Sequence, residues 1–389
     1  MTLQEVFDSY KINVMSTYTK TPLVLVKGKG SKLWDIHNKA YLDFFPGWGV
    51  GSLGHCHPKV MQAVRSQVSK LIFVPNNYYN IPQAKLAEEI IAVSFPGKVF
   101  FCNSGAEANE GAIKLSRKFG QGRFEIITFE NSFHGRTLAA LAATGQKKYQ
   151  SGFAPLPVGF TAVKFNDLAA VKAALTEKTV AIMLELVQGE GGVNLADKDF
   201  VLGLRKLCDE KNLLLIVDEV QTGIGRTGKF FAYQHYGITP DIMTLAKALG
   251  GGLPIGAMVA SQKIADTLGP GMHASTFGGS PLVSKAALAV LEAIEKEKLL
   301  HNTQKMGAYL LAKLNELKAK CPLIQEVRGL GLMIGVELSV EGKVIVEKCI
   351  GKGLLINCTH DKVLRLMPAL NITKKEIDKA IGILNEVLK

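Results

Sequence analysis

Several markers that would send this 389-residue chain toward a secreted, membrane or nucleic-acid-binding class are scarce or missing. Its six cysteines, Cys56, Cys102, Cys208, Cys321, Cys349 and Cys358, include no C-x-x-C pair. So sparse a set builds no disulfide framework and fits reduced thiols in a reducing compartment. No apolar run reaches the length of a membrane span. The opening "MTLQEVFDSYKINVM" lacks the charged and apolar regions of a signal peptide. The expectation is a cytoplasmic protein with no membrane partner. The net charge is +12, yet no basic block is interleaved with aromatics, so no nucleic-acid partner is expected. A basic surface can still steer anionic substrates inward. His55 and His57 alternate in "HCHP", but no further His, Cys or Asp cluster completes a metal site at a readable spacing. Turn or packing roles are expected for them, and no metal.

What is present is a globular composition, 47% hydrophobic and 21% charged, in a chain long enough for a large core. Residues 21–44, "TPLVLVKGKGSKLWDIHNKAYLDF", alternate short apolar runs with turn signals and read as a small meander. From about residue 58, helical segments such as "PQAKLAEEIIAVSF" alternate with strands such as "KVFFCN", "FEIITFE", "VAIMLELV" and "LLLIVDEV". That alternation implies crossover connections, hence an α/β fold with a mainly parallel central sheet flanked by helices. After residue 280 the pattern becomes one long helical stretch, two strand pairs and a closing amphipathic helix with Thr373 as its N-cap. The expected organisation is a segment 1–50 joining the small domain, a large domain 51–280, and a smaller α+β domain 281–389.

Two glycine patterns mislead. "GVGSLG" (49–54) and "GIGRTG" (223–228) both match G-x-G-x-x-G. A dinucleotide fingerprint also needs a strand before it, a helix after it and an acid about 20 residues on. Neither match has the full set. The stronger signal is "FFCNSGAEANEGAIKLSRKFG" (100–120), where a strand turns through Asn103, Ser104 and Gly105 into a helix expected to open at Ala106. Free N–H groups and the positive end of a helix make such a start an anion cup, although every α/β protein has ordinary turns of this kind.

"IVDEVQTGIGRTG" (216–228) drives an apolar strand into Asp218, and "LAKALGGGLP" (245–254) places Lys247 among small and apolar residues. A lysine so placed has a lowered pKa, and its neutral amine can serve as nucleophile and base. A reactive lysine, a strand-end acid and a phosphate cup are what pyridoxal phosphate needs: a Schiff-base partner, a carboxylate facing its ring nitrogen, and a cradle. Taken singly, Asp218 also reads as a capped strand end and Lys247 as a snorkelling surface lysine; the joint pattern favours the cofactor.

With those residues in view, the chain resembles the class III aminotransferases of fold type I over essentially its whole length. The matching stretches are "LGHCHP", "NSGAEANEGAIKLSRK", "FHGRT", "LELVQGEGGV", "VDEVQTGIGRTG", "LAKALGGGLPIGA" and "STFGG". Within that class it is most similar to the acetylornithine aminotransferases. Ornithine, succinylornithine, succinyldiaminopimelate and 4-aminobutyrate aminotransferases share the scaffold. An aminomutase, a decarboxylase or a non-enzymatic cofactor-binding protein on the same scaffold remains as an alternative.

The resemblance implies roles residue by residue. Lys247 would carry the cofactor and shuttle the proton, Asp218 would face the ring nitrogen, and Gln221 would bond the phenolic oxygen. Ser104, Gly105 and Ala106 would hold the phosphate, and Phe133 would stack on the ring. Thr276 would reach the phosphate of a neighbouring subunit, implying a homodimer with shared active sites. Arg136 would bind the far carboxylate of each substrate. Arg365 would clamp the α-carboxylate of glutamate or 2-oxoglutarate, and Glu190 would neutralise Arg365 when a distal amine reacts. Trp48 departs from the small or aliphatic residue usual at its position; its indole donates but offers no good acceptor for an ammonium, so an acylated amine is expected over free ornithine.

Overall fold

The computed structural model describes all 389 residues. A seven-stranded sheet forms the body. Across it the strands run Gly97–Cys102, Gly256–Ser261, Ile242–Leu245, Leu214–Asp218, Thr179–Leu184, Glu125–Phe129 and Phe160–Val163. Every neighbouring pair is parallel except those made by Gly256–Ser261, which is antiparallel to both its neighbours. The central strands Thr179–Leu184 and Leu214–Asp218 are buried along their whole length. Burial on both faces is why they read as unbroken apolar runs rather than alternating ones. Because these strands are parallel, Phe129, Leu184, Asp218 and Leu245 all end on one rim of the sheet, where α/β folds collect ligands.

The early meander does not stand alone. Leu25–Lys29, Lys32–Asp35 and Ala40–Asp43 form an antiparallel sheet, and Ala40–Asp43 pairs in parallel with Leu354–Leu355. A second antiparallel sheet is built from Ile324–Leu330, Met333–Leu338, Val363–Leu366 and Asn357–Thr359. One contiguous apolar cluster runs from the large sheet into both small ones. The long helical stretch expected after residue 280 divides in two, Pro281–Lys296 and Leu299–Lys318. Lys298 breaks it in the left-handed conformation, with φ of 53°; the first half packs on helices Pro58–Val68 and Ile81–Val93. The closing helix Lys374–Val387 starts on Thr373 through a capping box with Glu376, as its sequence indicates. No helix is long and apolar enough to cross a membrane.

Both misleading glycine stretches have structural uses. In "GIGRTG", Arg226 is only 1% exposed. Its guanidinium donates to the Leu332 carbonyl at 3.1 Å, the Pro368 carbonyl at 2.5 Å and Ser52 Oγ at 2.9 Å. One side chain thus ties three distant chain segments together. Burial without a carboxylate partner pulls its pKa down to about 9. The histidines of "HCHP" pair with carboxylates, His55 with Asp43 at 2.7 Å and His57 with Glu297 at 3.3 Å.

Glu219 is buried beside Asp218 but turned into the interior, where it accepts from the Thr222 hydroxyl and the Tyr233 N–H. Burial pushes its carboxyl up to about 7, against the opposing pull of those donors. Two predictions result. Arg226→Ala removes the bonds to the Leu332 and Pro368 carbonyls and leaves Ser52 only its bond to the Gly49 carbonyl, and should cost about 3 kcal/mol or more in urea unfolding. The raised carboxyl of Glu219 favours the folded state while protonated. Its contribution is present below about pH 4.5 and is lost as pH rises through about 7. The stability of the parent chain should therefore fall relative to Glu219→Gln between about pH 5 and about pH 8, as measured by denaturation at fixed ionic strength.

Candidate active site

A cavity of about 490 Å³ opens at the carboxyl rim of the large sheet. Nine of the residues singled out in the sequence line it: Ser104, Gly105, Ala106, Phe133, Arg136, Glu190, Asp218, Gln221 and Lys247. They arrive from five separate strand ends, so only the parallel sheet brings them together.

The anion cup forms one residue earlier than expected. The helix spans Gly105–Phe119, with Ser104 as N-cap accepting from the Glu107 N–H at 3.2 Å. Glu107 reaches back to the Asn103 N–H at 2.8 Å. These reciprocal bonds satisfy the ends of the turn and leave the first N–H groups, at Gly105 and Ala106, for a ligand. Gly105 is required here because a Cβ would stand 2.7 Å from Val220 Cγ1.

Asp218 ends its strand 3% exposed, and it is held from three sides. Asn109 Nδ2 donates to Oδ2 at 2.8 Å, His134 Nδ1 meets the same oxygen at 2.8 Å, and the Val220 N–H donates to Oδ1 at 3.0 Å. Asn109 is fixed in turn by the Thr244 hydroxyl at 2.7 Å and by donation to the His134 carbonyl at 2.7 Å. This network satisfies a buried carboxyl group that would be costly without partners. The sequence reading missed Asn109 and His134. The signal was available for Asn109, a polar residue at a core position of an amphipathic helix. His134 carried none beyond its place in "FHGRT".

Lys247 follows the strand Ile242–Leu245 with φ of 43°, a left-handed backbone that favours glycine. Burial holds its ammonium below the usual lysine range; Glu190, Asp218 and Glu185 oppose this, while Arg365 adds to it. Glu185, also absent from the sequence reading, accepts the Phe133 N–H at 2.8 Å. Burial raises its carboxyl well above the ordinary range, while His134 and Lys247 pull the other way.

Arg365 is fully buried on the strand Val363–Leu366. Its Nη1 pairs with Glu190 at 2.8 Å and donates to Gln221 Oε1 at 3.2 Å. Gly189 makes room for that amide: a Cβ there would fall 1.7 Å from Gln221 Oε1. Arg136 is exposed and lies over the Tyr149 ring at 4.1 Å, without a carboxylate partner.

Three expected residues are not on the cavity wall: Arg365, which touches it only through Glu190 and Gln221, Trp48 and Thr276. Trp48 is 46% exposed and meets Phe45 edge-on at 5.6 Å, and Phe45 in turn lies under the Arg365 guanidinium at 4.8 Å. Thr276 lines a neighbouring hollow with Asn103, Glu107 and Phe277.

A family model described as aminotransferase class-III matches residues 14–388. The acetylornithine aminotransferase of Methanocaldococcus jannaschii is 54% identical over 378 residues, covering 96% of this chain and 95% of that protein. That of Caldanaerobacter subterraneus is 52% identical over 381 residues, covering 96% and 97%. Among solved structures, the ornithine aminotransferase from Toxoplasma gondii superposes with a TM-score of 0.96 at 33% identity, covering 100% of this chain and 95% of that one. The acetylornithine aminotransferase from Elizabethkingia anophelis gives 0.89 at 32% identity, covering 100% and 99%. Matched from near its first residue to its last, this chain belongs to the class III aminotransferases.

Proposed function

We propose that the enzyme transfers the distal amino group of N2-acetylornithine to 2-oxoglutarate, giving N-acetylglutamate 5-semialdehyde and glutamate, a step of arginine biosynthesis. The observation that carries this reading is the buried Arg365–Glu190 pair, 2.8 Å apart, in the same site as Lys247. One substrate brings a carboxylate next to its reacting carbon and the other does not. A carboxylate on the protein that can pair with Arg365, or yield it, suits both. The curated relatives at 54% and 52% identity bear the acetylornithine name, which supports the acylated donor.

The cofactor is pyridoxal phosphate. The residues fit it on three observations: two free helix N–H groups beside Ser104, an Asp218 Oδ1 that accepts only one backbone N–H, and a lysine whose charge burial disfavours. When bound, it supplies an electron sink that makes a hydrogen on the carbon bearing the reacting amine acidic. We assign the remaining work to this chain's side chains. Ser104, Gly105 and Ala106 hold the phosphate, and Phe133 stacks on the ring. Asp218, fixed by Asn109 and His134, keeps a proton on the ring nitrogen. Gln221 accepts from Arg365 through Oε1, so its Nε2 is free to donate to the ring's oxygen. Lys247 Nζ anchors the cofactor and takes and returns the proton at the substrate's reacting carbon. Arg136 binds the carboxylate remote from that carbon in either substrate. Trp48 and Phe45 form an aromatic edge that suits an acylated amine better than an ammonium.

The same reading makes the enzyme a cytoplasmic homodimer, with Thr276 reaching the neighbouring subunit's phosphate. Support comes from an apolar surface beside that residue: Ile72 is 54% exposed, Tyr79 105%, Ile81 72% and Phe277 61%. We also propose the division 1–50, 51–280 and 281–389. Pairing of Ala40–Asp43 with Leu354–Leu355 supports the first joining the third, while helix Pro281–Lys296, which starts at the second boundary, packs on helices Pro58–Val68 and Ile81–Val93 of the large domain.

The deciding experiment is a single-turnover half-reaction of the holoenzyme with N2-acetylornithine, ornithine, succinyldiaminopimelate or 4-aminobutyrate, followed by cofactor absorbance. N2-Acetylornithine should react fastest, and a faster reaction with any of the others overturns the substrate assignment. Lys247→Ala should lose both turnover and the visible absorbance of the bound cofactor; retained turnover would remove Lys247 from its role. Sedimentation should give twice the chain's mass, and a monomer with full cofactor affinity would exclude the shared site.

A further inference from the structure

The guanidinium of Arg365 has a second neighbour on the side away from Glu190. Asn357 stands directly opposite it, Cα to Cα, across the antiparallel pair Asn357–Thr359 and Val363–Leu366. Opposed residues in such a pair share a face, so the two side chains meet. Asn357 Oδ1 accepts from Nε at 3.2 Å and from Nη2 at 2.9 Å. A guanidinium carries five N–H groups in a rigid plane. Here Nε and one N–H of Nη2 go to Asn357, and Nη1 serves Glu190 and Gln221. Phe45 covers one face of the plane at 4.8 Å.

We propose that Asn357 is a positioning residue, one that locks the plane of the Arg365 guanidinium so that a substrate carboxylate replaces Glu190 only at its Nη1 end. A planar cation can take a carboxylate side-on, through Nε and Nη2, or end-on, through Nη1 and Nη2. Asn357 occupies the side-on edge. It does so with a neutral acceptor, which holds the plane without cancelling the charge. A carboxylate at this position would hold Arg365 equally well but keep it neutralised in both half-reactions. Glu190 is therefore the one exchangeable anion of the cluster, and the Asn357 amide is its fixed counterweight. The proposal rests on the dual-substrate reading above, because only a site that takes substrates with and without the nearby carboxylate has use for the exchange.

The test compares the parent enzyme with Asn357→Ala and Asn357→Asp, each titrated with 2-oxoglutarate and with N2-acetylornithine. Loss of hydrogen bonds to a charged group should raise KM for 2-oxoglutarate roughly tenfold in Asn357→Ala. The rise should fall on KM more than on kcat, and should exceed any rise for N2-acetylornithine by at least about fivefold. Asn357→Asp, which preserves shape, should raise KM for 2-oxoglutarate further still. General damage to the fold would raise both KM values together. Such a parallel rise, a lower KM for 2-oxoglutarate, or an Asn357→Asp variant that binds 2-oxoglutarate as the parent does would overturn the proposal. If N2-acetylornithine fails to react with the parent enzyme, the substrate reading falls by itself. The comparison then runs between 2-oxoglutarate and whichever distal amine does react, with the same outcomes deciding for or against Asn357.

Discussion

A carboxylate at the end of a buried strand is the constraint around which the site is arranged. A carboxyl left without partners in the interior is costly. Asn109 Nδ2 and the Val220 N–H donate to Asp218, and His134 Nδ1 lies 2.8 Å from its Oδ2. Each partner brings its own support. Asn109 ties the helix of the anion cup to the strand carrying Thr244, and His134 brings the loop that also presents Phe133 and Arg136. Satisfying one acid therefore sets the cup, the loop and two strand ends in a common frame. Lys247 completes that frame from the next strand, in a backbone conformation that only well-packed surroundings would hold.

A second constraint keeps the small sheets against the large one. Arg226 is a buried cation whose recorded partners are two carbonyls and a hydroxyl. Its bonds reach Leu332 and Pro368 in the C-terminal half and Ser52 near the start of the chain. Arg365 hangs from the strand just before Pro368. The position of the substrate-facing arginine is thus set partly by a residue of the glycine-rich turn that follows Asp218. The two halves of the site share one covalent stretch, residues 218–226.

Much of this was legible in the sequence because chemistry and periodicity agreed. Buried parallel strands announce themselves as apolar runs, so the strand ends at Cys102 and Asp218 could be located, and with them the cup and the acid. Thr373 and Glu376 spelled out a cap in four residues. Contacts across long separations were hidden. Nothing in "GIGRTG" distinguishes a ligand loop from a buried tie, because the partners of Arg226 lie more than 100 residues away. Asn357 looks like any strand-edge amide until its register against Arg365 is known. Lys298 gave no sign that it would break a helix, since neither glycine nor proline marks the spot. Trp48 and Thr276 were read from likeness alone, and both stand outside the cavity wall.

Gly189 has a consequence for how such a site can change. A side chain there would overlap the Gln221 amide, which is already engaged by Arg365. The floor of the cavity is consequently a tightly coupled assembly, in which a new methyl group disturbs the cofactor side and the substrate side at once. Val50 and Leu253 on the cavity wall, and the half-exposed Trp48, carry no such linkage. New substrate ranges on this scaffold have an open route at these residues and a nearly closed one at the base. An inherited catalytic floor can therefore outlast many exchanges of the groups that decide what enters.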